Sequence, residues 1–186
     1  MRIISGTLKG KNILRPKDKK TRPLRDLVKE SIFNLLKHSN KTKFEIHNSD
    51  ILDLFSGSGS FGLECISRGA HNVFFVENYP LILEILRKNI SLLNVNKFSN
   101  VFEKNCFELF KIEKIINTKF DLIFIDPPYK ENKINFIVEK IKETKILKEN
   151  GIIILHRHKK DSCELNKNLN ILDERTYGIS KITIAN

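Results

Sequence analysis

The chain of 186 residues has no apolar run near the roughly 20 residues that a membrane-spanning helix requires. Its first residues also lack the uninterrupted apolar stretch of a secretory signal, so the expectation is a cytoplasmic protein with no membrane partner. Cysteine is scarce. Cys65, Cys106 and Cys163 are odd in number, far apart and without paired Cys or His at ligand spacing, which argues against a disulfide framework and a zinc site and for buried small hydrophobes. Acidic residues are the third shortage: 33 Lys and Arg stand against 22 Asp and Glu, a net charge of +11.

The surplus is uneven. Residues 1 to 50 hold 13 basic and 5 acidic side chains, whereas residues 51 to 186 hold 20 and 17. A coding bias toward Lys would spread it evenly. A basic arm ahead of a nearly balanced body instead fits a polyanion partner, because phosphate contacts supply affinity through counterion release. Arg15, Lys17, Lys19, Lys20, Arg22 and Arg25 are the candidate nucleic-acid contacts. The chain is accordingly divided into an extension over residues 1–45 and a body over residues 46–186.

Within the extension, residues 1–14 read as two short β-branched runs broken by glycines, a hairpin. Apolar positions at helical spacing predict a helix over residues 24–37, and residues 41–50 read as a polar linker. From Ile51 onward, strands are expected over 51–55, 72–76, 100–103, 121–125 and 151–155. Helices are expected over 60–68, 80–93, 107–116 and 133–145. This alternation implies βαβ units, a mostly parallel sheet and an α/β fold. Residues 168–173 and 179–184, joined across 175–178, look like an antiparallel pair at the sheet edge.

Two motifs carry chemistry. Asp53-Leu-Phe-Ser-Gly57-Ser-Gly59-Ser-Phe-Gly62 lies where a strand meets a helix and matches the G-x-G-x-x-G spacing, which on its own also fits a dinucleotide site. An acid at Asp53 would repel a pyrophosphate and attract a cation, and Glu77 ends the next strand, where a carboxylate can bond ribose hydroxyls. Both point to S-adenosylmethionine, which is cationic and lacks phosphate. Asp126-Pro-Pro-Tyr129 follows the buried run of residues 120–125. Its prolines contribute acceptors and no N–H donors, a pocket for an exocyclic amino group. Asp126 and the Pro127 carbonyl would hold the amine, Pro128 would fix the turn, and Tyr129 would stack on a base swung out of its surroundings.

With both motifs in place the chain resembles the class I S-adenosylmethionine-dependent methyltransferases of exocyclic amines. More narrowly it resembles the RsmD family, the 16S ribosomal RNA guanine-N2 methyltransferases. The resemblance rests on Met1-Arg-Ile-Ile-Ser-Gly6, Thr21-Arg-Pro23, Lys29-Glu-Ser-Ile-Phe-Asn34, residues 52–59, Ser67-Arg-Gly-Ala70, residues 120–129 and Tyr177-Gly178. It implies a Rossmann-like, seven-stranded, mostly parallel sheet with a C-terminal antiparallel strand pair and an N-terminal hairpin and helix. It also implies a catalytic set of Asp126, Pro127, Pro128 and Tyr129, and a cofactor set of Asp53, Phe55, Gly57, Gly59, Glu77, Asn105 and Cys106. The implied partner is 16S rRNA, the small ribosomal subunit or an assembly intermediate, met by a monomer.

Two positions depart from the family. Asn105 stands where an acid usually meets the adenine amino group, and His156-Arg-His-Lys-Lys160 stands where the family tends to carry an acid. That basic cluster reads as a solvated sheet edge or an extra phosphate contact, with neither histidine assigned to catalysis. The competing functions are an adenine-N6 methyltransferase of DNA or RNA, an inactive RNA-binding protein with this fold, and a nicotinamide-dependent dehydrogenase.

Overall fold

A computed structural model describes residues 1–16, 24–38, 42, 44–128, 131–161 and 169–186. Lys17, Lys19, Lys20, Arg22, Tyr129 and Cys163 lie outside the described residues.

The body is a seven-stranded sheet in the order β3-β2-β1-β4-β5-β7-β6. The strands are β1 (Asp50–Leu54), β2 (Asn72–Glu77), β3 (Ser99–Glu103), β4 (Phe120–Ile125), β5 (Leu147–His158), β6 (Ile171–Tyr177) and β7 (Ser180–Ala185). Strands β1 to β5 pair in parallel, and β7 joins antiparallel between β5 and β6. The helices are α1 (Asp26–His38), α2 (Ser60–Ser67), α3 (Pro80–Leu92), α4 (Glu113–Ile116) and α5 (Ile134–Thr144). None of these is long and apolar enough to cross a membrane.

Strand alternation sorts the core into two layers. Ile51, Leu122, Phe124 and Ile154 pack with Ile32, Phe33, Phe61 and Leu86 on one face. Leu52, Leu54, Ile123, Ile125 and Leu155 pack with Ile137, Val138 and Ile141 on the other. A sheet buried on both faces needs apolar residues at every position, which is why β1 and β4 read as nearly continuous apolar runs. Asp53, 1% exposed, interrupts that pattern on the first face.

The N-terminal segment shares the first layer, through Ile3, Ile13, Leu24 and Val28. An antiparallel bridge joins Arg2 to Asn12, as the hairpin pattern predicts, and Glu64 of α2 accepts hydrogen bonds from the Ile4 and Ser5 amides at 2.7 and 2.9 Å. Lys29, fully buried on α1, donates to the Arg2 carbonyl at 2.8 Å and to Ser60 Oγ at 3.2 Å, and its ammonium stands 3.5 Å from Glu64. Burial lowers the Lys29 pKa from its ordinary value, and the charge of Glu64 works against that shift.

Several expected boundaries change. Within the range expected to be a polar linker, Phe44 is buried in the first layer and Asp50 already belongs to β1. The single helix expected over 107–116 is a 3-10 turn, Leu109–Lys111, followed by α4, because Ile112 between them adopts an extended backbone (φ −88°, ψ 114°) that breaks the helical ladder. Strand β5 runs from Leu147 to His158 instead of 151–155, and the closing turn is Gly178-Ile179. The cause of the longer β5 at its far end is β7, whose pairing continues through His156, Arg157 and His158.

Candidate active site

The chain order reverses between β1 and β4, neighbours that lead to opposite sides of the sheet. Loops after the two strands therefore diverge and leave a crevice at their carboxyl ends, the usual ligand position in open α/β sheets. A cavity of about 580 Å³ occupies it, within the range of small-molecule sites. Asp53, Phe55, Gly57, Glu77, Asn105, Cys106, Asp126, Pro127 and Pro128 all line it.

The glycine turn is built around the two acids. Gly59 precedes α2 in the left-handed region (φ +82°), and the turn then enters the helix without a side-chain cap. Gly62 faces the sheet so closely that a Cβ there would lie 2.4 Å from the Phe75 ring. That approach lets its amide donate to Asp53 Oδ2 at 3.0 Å. Glu77 holds the other side of the loop: Oε2 accepts from Gly57 N at 2.9 Å, and Oε1 from Asn78 N and Tyr79 N at 2.9 and 3.0 Å. A carboxylate offers about four acceptor sites, so one remains for a ligand hydroxyl.

Phe55, expected near the cofactor from resemblance alone, lies in the left-handed region (φ 56°), unusual for an aromatic, with its amide directed to Cys106 Sγ at 3.3 Å. Its ring meets Phe107 edge-on at 6.1 Å between centroids, forming an apolar wall beside Asn105. Asn105 is exposed, and its Oδ1 accepts from Phe107 N at 3.0 Å. Burial drives the Cys106 thiol far above its ordinary range, so it acts as an apolar wall and not a nucleophile, and Cys65 is likewise buried.

Electrostatics give the cavity its preference. The described lining includes Asp53, Glu77, Asp126 and Glu131 and no Lys, Arg or His. Burial lifts the Asp53 carboxyl well above its ordinary value, and the charges of Asp126 and Glu77 add to it, against the pull of the Gly62 hydrogen bond. A cationic ligand would relieve that repulsion and an anionic one would increase it. The residues present fit S-adenosylmethionine: carboxylates for its positive end, Glu77 for a ribose hydroxyl, and the Phe55 and Phe107 wall with Asn105 for a heterocycle.

The extension reaches the same cavity. Pro16 and Leu24 line it, and exposed Arg15 and Arg25 are their immediate chain neighbours. Fully buried Asn89 on α3 joins arm to loop, accepting from Leu14 N at 2.7 Å and donating to the carbonyls of Leu14 at 3.0 Å and Ser58 at 2.9 Å. No sequence motif singles out Pro16, Leu24, Phe107 or Glu131. For Phe107 a signal exists, since it directly follows Asn105 and Cys106.

One expectation is overturned. The cluster from His156 to Lys160 is not a solvated edge or a phosphate site throughout: His156 is 2% exposed and Arg157 is 7% exposed, and only Lys159 and Lys160 are exposed. Pairing with β7 covers the strand to its end. Arg157 Nε donates to Asp161 Oδ2 at 2.7 Å, and His156 bridges Asp126 and Ser180. Among the described residues no group of His, Cys, Asp and Glu could hold a metal ion.

Comparisons with known proteins identify the family and the fold. Ribosomal RNA small subunit methyltransferase D of Haemophilus influenzae is 32% identical over 180 residues, covering 96% of this chain and 90% of that protein. The solved structure of Haemophilus influenzae HI0767 superposes with a TM-score of 0.76 at 30% identity, covering 99% of this chain and 96% of the other. SMU.776, solved in complex with SAH, shares the fold at a TM-score of 0.63 and 17% identity, over 84% of this chain and 48% of its own length. The family model described as conserved hypothetical protein 95 matches residues 1–186. The chain thus belongs to that family, the RsmD family, and has its S-adenosylmethionine-dependent methyltransferase fold.

Proposed function

We propose that this chain methylates the exocyclic N2 amino group of a guanine in 16S ribosomal RNA of the small subunit, acting as a cytoplasmic monomer. One observation carries the reading: Asp126 and Pro127 open into the same cavity as Asp53 and Glu77, so an amine acceptor and a cation site share one space. The small-subunit RNA methyltransferase relative and the basic arm supply the substrate class.

S-adenosylmethionine supplies, when bound, an electrophilic methyl group on a positively charged sulfur. The protein's task is placement and charge. A base amine is a poor nucleophile because its lone pair is delocalised into the ring. Hydrogen bonds from its two protons to the Asp126 carboxylate and the Pro127 carbonyl favour a pyramidal nitrogen with its lone pair turned into the cavity. No strong base is needed beforehand. The proton shed by the nitrogen afterwards passes to Asp126 or to water. Tyr129 is assigned the stacking role from its position in the motif. The basic residues Arg15, Lys17, Lys19, Lys20, Arg22 and Arg25 are assigned to RNA phosphates, which position the substrate without reading its sequence.

The test is methyl transfer from radiolabelled S-adenosylmethionine to small ribosomal subunits, free 16S RNA and duplex DNA, followed by mapping of the labelled nucleotide. Label on a guanine N2 of 16S RNA is the expected result. Label confined to adenine in DNA would overturn it, since Asp-Pro-Pro-Tyr accepts any exocyclic amine.

A further inference from the structure

The three carboxylates at the ends of β1, β2 and β4 in the site are not held alike. Asp53 is anchored by the Gly62 amide and Glu77 by three backbone amides. Asp126 is followed by Pro127 and Pro128, which have no N–H to give. The hydrogen bond that fixes it comes instead from another strand. Strands β4 and β5 run parallel with Ile125 opposite Leu155, so the next residues, Asp126 and His156, stand side by side on the face of Phe124 and Ile154. His156 Nδ1 lies 2.8 Å from Asp126 Oδ1, and Nε2 lies 2.9 Å from Ser180 Oγ. Ser180 comes from β7, two residues from Ile182, the partner of His156 in the ladder.

The chemistry of this chain of hydrogen bonds is constrained. An ionised carboxylate only accepts, so the hydrogen between Nδ1 and Oδ1 belongs to the nitrogen, and in the neutral ring Nε2 accepts from the Ser180 hydroxyl. The imidazole side chain is 3% exposed and the Asp126 side chain 21%, which places His156 behind the carboxylate and outside the cavity.

We propose that His156 is a positioning residue for methyl transfer: it holds Asp126 Oδ1 from behind, leaving Oδ2 turned to the substrate amine, while the Ser180 hydroxyl bonds Nε2 and fixes the orientation of the ring. The inference rests on the reading of Asp126 as the group that receives the amine. Its logic is replacement of a missing backbone donor, since a carboxylate free to rotate would lose the alignment on which the transfer depends.

Three variants separate the roles. In His156→Asn the side-chain amide nitrogen occupies the place of Nδ1, whereas in His156→Gln it falls near Nε2 and misses Asp126; Asp126→Ala is the reference. With saturating cofactor, His156→Gln is expected to lower kcat by about 10- to 100-fold and His156→Asn by no more than about 3-fold. Both should bind S-adenosylhomocysteine in calorimetry as the unaltered chain does. Independently of activity, nitrogen-15 spectra of the unaltered protein should show the His156 proton on Nδ1. Full activity in His156→Gln, equal losses in the Gln and Asn variants, cofactor affinity falling in step with kcat, or a neutral ring protonated on Nε2 would each overturn the proposal. An active Asp126→Ala would instead remove the catalytic reading of Asp126 beneath it. Should His156→Gln fail to fold, the tautomer measurement still decides.

Discussion

Asp53 shows how one buried acid trades stability for binding. Because burial, reinforced by Asp126 and Glu77, raises its pKa well above the ordinary carboxylate value, the folded chain holds that proton more tightly than the unfolded chain does. The stabilising contribution is therefore complete below the unfolded value and is lost as pH rises through the raised folded value. Asp53→Asn removes the ionisation while keeping an acceptor for Gly62. We expect the melting temperature of the variant to exceed that of the ligand-free parent by a margin that grows with pH. Cofactor affinity should fall by about 2–5 kcal/mol, the usual cost of losing one partner of a buried charge pair. Calorimetry and thermal melts across pH check both, and a constant margin would refute the account. Asp126→Ala should abolish turnover while cofactor binding persists, read by methyl transfer alongside calorimetry. His156 is the residue that the sequence misassigns, because a basic run beside a strand end reads as solvated until a neighbouring strand is known to cover it.

Among the elements, the packing of the N-terminal segment on α2 holds the extension against the body. Glu64 sits fully buried, meeting Lys29 of α1, Arg68 at 2.8 Å and the amides of Ile4 and Ser5. Removing one member strands the others in a dry environment, so Glu64→Ala is expected to cost about 3–5 kcal/mol. Denaturant unfolding measures the loss, and amide exchange should show the Ile4 and Ser5 hydrogens released first. A loss below about 1 kcal/mol, typical of exposed pairs, would contradict a buried network. Elements are legible where one periodicity dominates: α2 and α3 end within a residue of their predicted limits, as do β1, β2 and β4. Residues 107–116 depart from prediction because the backbone turns extended at Ile112 in the middle of the apolar run, a break that side-chain spacing does not express.

Over the full chain, the asymmetry of charge predicts a division of labour. The cavity is lined with acids, while Arg15 and Arg25 stand beside the arm residues that enter it. Charge reversal at Arg15 and Arg25, or at Lys17, Lys19 and Lys20, should weaken RNA binding and leave cofactor affinity unchanged. Each phosphate interaction removed should lower the slope of log K against log salt by about 0.7 to 0.9. Filter binding over a salt series checks this, and an unchanged slope with unchanged affinity would refute the arm's role.

The α/β class, the sheet with its antiparallel closing pair and both chemical motifs are legible from the residues alone. These are local signals: strand and helix periodicity, glycines where the backbone must turn, prolines that remove donors. Which side chains meet across strands is not a local property, because β4 and β5 touch through a register that neither segment encodes alone. That register sets His156 against Asp126, and the antiparallel return of β7 makes β5 an interior strand along which His156 and Arg157 are buried. The fate of a charged or polar side chain depends on what covers it, and the cover comes from chain far away in sequence.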